Sequence, residues 1–64
     1  MQRGALDIGE QFAHLTCMLE DAHGIAVAGQ AHDLACDEYR VLVQQLHRAI
    51  GQMLECANKI ERSL

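Results

Sequence analysis

Ala5, Ile8, Phe12, Leu15, Leu19 and Ala22 succeed one another at steps of 3, 4, 3, 4 and 3, which keeps all six on one stripe of an α-helix and fits no strand period. The pattern predicts a first helix over residues 8–23. Asp7 precedes Glu10 by three residues, the spacing of a capping box in which the Asp side chain accepts an early backbone N–H and the Glu reaches back. Gly4 and Gly9 each cost about 1 kcal/mol relative to Ala inside a helix, so the ordered start is placed near Ile8, with a frayed start near Gln2 as the alternative. Gly24 suits a left-handed stop.

A longer pattern runs through the second half of the chain. Ala35, Tyr39, Leu42, Leu46, Ala49, Met53, Cys56 and Ile60 step by 4, 3, 4, 3, 4, 3 and 4, predicting a second helix over residues 31–62. Beside that stripe runs another, Val43, Ile50, Ala57 and Leu64, at intervals of seven. It widens the apolar face beyond a narrow two-stranded seam, so this helix calls for more than one neighbour. Asp33, Asp37 and Glu38 occupy its first turns and Lys59 and Arg62 its last, as the helix dipole favours. Glu55 and Lys59 stand at i,i+4, the spacing of a supporting ion pair.

Between the two patterns lies Gly24-Ile25-Ala26-Val27-Ala28-Gly29, read as part of a loop over residues 24–30 because two glycines within six residues interrupt helical preference. One continuous rod is the alternative that these glycines disfavour. Helices of these extents would be about 24 Å and about 48 Å long. The second would overhang the first and expose much of its apolar face. The expected fold class is therefore all-α: an antiparallel helical hairpin that pairs with a second copy into a four-helix bundle. The expected dimer core is Phe12, Leu15, Leu19, Tyr39, Leu42, Leu46, Ile50, Met53 and Ile60.

Composition adds constraints. The 64 residues allow one domain near the lower size limit for independent folding. Half are apolar, yet Phe12 and Tyr39 are the only aromatics and Pro is absent, so the core must be aliphatic and helical. A net charge of −4 argues against nucleic acid or an anionic membrane as the main partner. No apolar run approaches the ~18 residues of a membrane span, and the first residues lack a secretion-signal pattern, so the expected compartment is the cytoplasm. Cys17, Cys36 and Cys56 are odd in number and widely spaced, which suits reduced thiols better than a disulfide framework.

Candidate chemistry is sparse. His14 with Cys17 and His32 with Cys36 are spaced i,i+3 and i,i+4, as metal ligands on a helix can be. In a hairpin, however, His14 and Cys17 fall on the outside of the first helix while Cys36 lies on the buried edge of the second, so no metal site is expected and a His/Cys metal-binding protein is the least favoured alternative. No phosphate-cradling glycine loop succeeds a strand, and two helices with solvated carboxylates offer little concavity for acid–base work. Neither a cofactor nor an enzymatic activity is expected.

Arg40, His47 and Arg48 lie on adjacent rows of the second helix, extended by Arg62, and a dimer could gather them into a basic ridge. In length and helix pattern the chain resembles the Rop-type plasmid regulators, short helical hairpins that dimerise and grip an RNA loop complex. That resemblance implies RNA binding through the ridge. No residue motif of the family maps onto this chain, and Glu55 and Glu61 share the ridge's side. The remaining class is protein–protein interaction. Leu6, Met18, Ile25, Val27, Leu34, Val41 and Leu54 lie beside or outside the main stripes, an apolar surplus suited to a larger protein partner. Ile25 and Val27 in the loop, with Val41 and Leu54 on the flank of the second helix, are the candidate partner-binding residues.

Overall fold

The computed structural model describes the backbone of residues 3–64 and the side chains of residues 8–64. The side chains of Ala5, Leu6 and Asp7, assigned above to the first stripe, the apolar surplus and the cap, lie outside the described residues. So does the frayed start at Gln2. All regular structure among the described residues is helical: α1 spans Arg3–Ala28 and α2 spans Cys36–Ser63. The two pack against each other along their length, so the chain is a hairpin and not a rod.

Both boundaries at the reversal differ from the expectation. The α1 backbone continues through Gly24 to Ala28, and no glycine among the described residues has a positive φ. Gly24 is therefore not a left-handed stop. Its cost of about 1 kcal/mol is outweighed by the residues beyond it. Ile25 packs half-buried one turn past the buried Ala22, and Ala26 and Ala28 are strong helix formers. At the other end of α1 the backbone is already helical at residue 7, so Asp7 is not its N-cap.

With α1 prolonged, residues 29–35 make the reversal and α2 begins at Cys36, not at residue 31. The N–H groups of Gln30 and Ala31 donate to the carbonyls of Val27 and Ala28 at 3.0 and 3.3 Å, tightening the end of α1. Ala35, extended at φ −73° and ψ 160°, is the N-cap of α2. Its N–H donates to Glu38 Oε1 at 2.8 Å. Ala has no side-chain acceptor to complete the exchange, so only the return half of a capping box is made. The Tyr39 hydroxyl donates to the Ala31 carbonyl at 2.6 Å, tying the reversal to the first turn of α2. Asp37 and Glu38 remain in that turn and Arg62 in the last, as the dipole favours.

The helices contain 26 and 28 residues, about 39 and 42 Å at the helical rise. The expected overhang of the second helix is absent because α1 continues at both ends. From Tyr39 onward the α2 seam is the one its periodicity predicts: Tyr39, Leu42, Leu46, Ala49 and Met53 are half-buried, and Cys56 and Ile60 are buried, whereas Ala35, expected as its first member, is exposed and precedes the helix. Opposite them α1 presents Ile8, Gln11, Leu15, Met18, Ala22 and Ile25. Phe12 and Leu19, expected in this stripe, lie instead on its flank. Gln11 and Met18 take the seam positions next to theirs.

Candidate functional site

Within a single hairpin only Ala22, Cys56 and Ile60 among the described residues are buried, at 9%, 7% and 7% exposure. Two helices form one layer, whose Cα atoms span 53 × 15 × 10 Å, and a layer has two flanks. The seam positions repeat in sevens, so the residues beside it form series that also repeat in sevens. On α1 one such series is Phe12, Leu19 and Ala26; on α2 it is Val43, Ile50, Ala57 and Leu64. Each series lies one position beyond a seam residue of its helix, and in an antiparallel pair such positions share one flank. Ala26 and Val43 indeed line a single groove with Ile25, Tyr39, Leu42 and Leu46.

Every member of the two series is apolar, and the large ones are well exposed: Phe12 and Leu19 at 53%, Val43 at 50% and Ile50 at 49%. The opposite flank is polar. There His14 and Asp21 of α1 meet Gln52, Glu55 and Lys59 of α2 across a shallow cleft floored by Met18 and Cys56. Glu55 and Lys59 do not close to ion-pair distance among the described residues. Gln11 Oε1 is buried at this edge without a hydrogen-bond partner among the described residues, while the Gln11 carbonyl accepts a long hydrogen bond from Cys56 Sγ at 3.4 Å.

The residues expected in the dimer core therefore divide. Leu15, Tyr39, Leu42, Leu46, Met53 and Ile60 are spent on the seam inside the hairpin, whereas Phe12, Leu19 and Ile50 face outward on the apolar flank. The expected partner-binding residues do not form one surface. Ile25 and Val27 belong to α1 and not to a loop, and Ile25 is half-buried in the seam. Val41 joins Ala28, Leu34 and Leu42 on a small apolar shelf beside the reversal, edged by Asp37 and Glu38. Leu54, 61% exposed, lies about 20 Å further along α2.

Arg40, His47 and Arg48 are all exposed on the outer side of α2. Arg40 Nη1 stands 3.9 Å from Asp37 Oδ1, an exposed i,i+3 pair of the kind worth little to stability, though it places an acid beside the ridge. Cys17 and Cys36 are exposed and Cys56 is buried, all as free thiols. The exposure of Cys36 overturns its expected place on the buried edge: it precedes the first full turn of α2 that α1 covers. Among the described residues no group of three or more His, Cys, Asp or Glu side chains converges as metal ligands would. No described helix is long and apolar enough to cross a membrane.

Reading the flank from sequence requires the hairpin register. The interval-of-seven series on α2 is visible in the sequence, but its counterpart on α1 is concealed, because Phe12 and Leu19 also fit the periodicity of the seam. No family model matches the chain, and no curated protein or solved structure shows significant similarity to it.

Proposed function

We propose that this chain is a small non-catalytic helical adaptor or regulatory protein that homodimerises and binds or inhibits a larger protein partner. The observation that supports it is the contrast between the two flanks: one apolar on both helices, the other polar on both. A polar flank is stable in water. An exposed apolar one of this continuity marks an interaction surface.

The surface area points the same way. The hairpin exposes 5167 Å², whereas a compact monomer of 7.1 kDa is expected to expose roughly 4,100 Å². The excess, roughly 1,000 Å², is comparable with the ~800 Å² per partner of a standard protein interface. Once the flank is covered, the Ala28–Leu34–Val41 shelf remains at the hairpin's turn as a second apolar surface. Its acidic edge, Asp37 and Glu38, fits a partner segment with an apolar anchor beside a basic residue. A cytoplasmic setting suits the three free thiols.

The test is affinity capture from the native host with the wild type and with Leu34→Ser combined with Val41→Ser. Both substitutions lie off the apolar flank, so the double variant should keep its mass and helicity while losing a protein partner that the wild type captures in stoichiometric amount. If Arg48→Glu abolishes capture instead while the dimer mass is kept, and RNA elutes in a salt-sensitive way, the Rop-like reading through Arg40, His47 and Arg48 replaces this one.

A further inference from the structure

We infer that the apolar flank is covered by a second copy of this chain, related by a two-fold axis perpendicular to the helices at the level of Leu19 and Ile50, with the two turns at opposite ends. This deepens the dimer half of the function proposed above and rests on it.

The first argument is register. Cys56 Sγ bonds to the Gln11 carbonyl towards one end of the hairpin. Towards the other, a Cβ placed on Gly29 would stand 4.0 Å from Leu42 Cδ1. Between these two contacts Leu19 comes level with Ile50, Ala26 with Val43, and Phe12 with Ala57. Among side chains described on both helices the flank thus has three tiers about 10 Å apart: Phe12 with Ala57, a central tier of Leu19 with Ile50, and the less bulky pair Ala26 and Val43; Leu64 lies one tier further along α2.

Two copies can bring these flanks together with symmetry in two ways. If the axis runs along the helices, each tier meets itself. Phe12 and Ala57 then stack on a second Phe12 and Ala57, and Ala26 and Val43 on their own copies, leaving the bundle wide at one end and thin at the other. If the axis runs across the helices, Phe12 and Ala57 meet Ala26 and Val43 of the second copy, while Leu19 and Ile50 meet themselves. The outer tiers then have identical composition and the bundle is equally thick at its two ends, which favours close packing without voids.

Charge selects the same arrangement. Arg40 and Glu61 lie on one row of α2, three turns to either side of Ile50 and next to the flank series. The crosswise axis sets Arg40 of each copy against Glu61 of the other at the rim, twice per dimer. The lengthwise axis keeps them at opposite ends. The available area is also of the right size. Phe12, Leu19, Val43, Ile50 and Leu54 are each about half exposed or more, on the order of 100 Å² apiece. With the alanines and the polar rim they approach the ~800 Å² per partner of a stable interface.

The experiment is thiol cross-linking with a short bis-maleimide in the full chain carrying Cys17→Ser and Cys36→Ser, Cys56 being buried in the seam. Leu19→Cys and Ile50→Cys are introduced separately. With the crosswise axis each variant links to itself and forms a covalent dimer. If neither links alone but a mixture of the two does, the chain dimerises about the lengthwise axis and this arrangement is wrong while the homodimer stands. If no combination links, sedimentation decides what is lost. A dimer then uses some other face and overturns the inference alone, whereas a monomer overturns the proposed homodimer as well. Ile50→Asp, a half-exposed position in the single hairpin, should weaken dimerisation by about 100-fold or more, because it would bury two like charges on the axis. Unchanged association would also overturn the inference.

Discussion

Gln11 is the residue whose place in the molecule is least expected from its type. Its Oε1 is buried with no partner among the described residues, and a buried acceptor left unmade costs about 1–3 kcal/mol. Replacing it with a flexible apolar side chain of similar volume removes that cost and retains the packing. Gln11→Met is therefore expected to stabilise the protein by about 1 kcal/mol, read as a rise in the midpoint of urea unfolding at fixed protein concentration. A lower midpoint would mean that the amide makes a contact that holds the seam together. Gln11 also explains why the α1 seam is hard to read from sequence. Hydrophobic periodicity counts only apolar positions, so a polar seam residue is skipped and the neighbouring Phe12 is taken in its place, with Leu19 one heptad later. Ile8, Leu15 and Ala22 belong to both stripes and are legible. On α2 no polar residue interrupts the seam, and all seven positions from Tyr39 to Ile60 can be read from the sequence.

At the scale of elements, the reversal lies five residues later than glycine placement predicts. A glycine is a weak breaker when its φ is ordinary and apolar contacts continue beyond it. Gly24 has no heavy atom within 4 Å of an added Cβ and a negative φ, so Gly24→Ala should stabilise the protein by about 0.4–1 kcal/mol. Were Gly24 the left-handed end of the helix, the same substitution would destabilise it. Thermal melts at one fixed concentration separate the two outcomes, since 1 kcal/mol moves the midpoint by roughly 4–8 °C in a domain of this size. The start of α2 offers a complementary test. Ala35 receives no help from its own side chain, while Glu38 already accepts its N–H. Ala35→Ser completes the reciprocal box and is expected to add about 1 kcal/mol. No gain in the same melts would indicate that α2 begins elsewhere. This cap is invisible to sequence reading because its N-cap residue belongs to none of the usual capping types.

For the whole molecule, the single hairpin is too thin for its composition. Its radius of gyration of 15.2 Å compares with roughly 10.7 Å for a compact domain of the same length. Nearly all of its large apolar side chains remain partly in water. The physical reason for the proposed second copy differs from the one that the sequence suggests. Unequal helix lengths would expose one end of α2, but the helices are nearly equal, and the exposed apolar surface is one flank along the full hairpin. Substitutions should obey that geometry. Leu46→Asp, in the internal seam, should unfold the hairpin at any concentration. Ile50→Asp, on the flank, should act on association first.

Sedimentation equilibrium of the unmodified chain at tens of micromolar tests the homodimer most directly. The expected result is a helical species at twice the chain mass of 7.1 kDa, dissociating on dilution with a concentration-dependent melting temperature. A folded helical monomer at that concentration would contradict it, because the apolar flank would then be stable in water without a second copy.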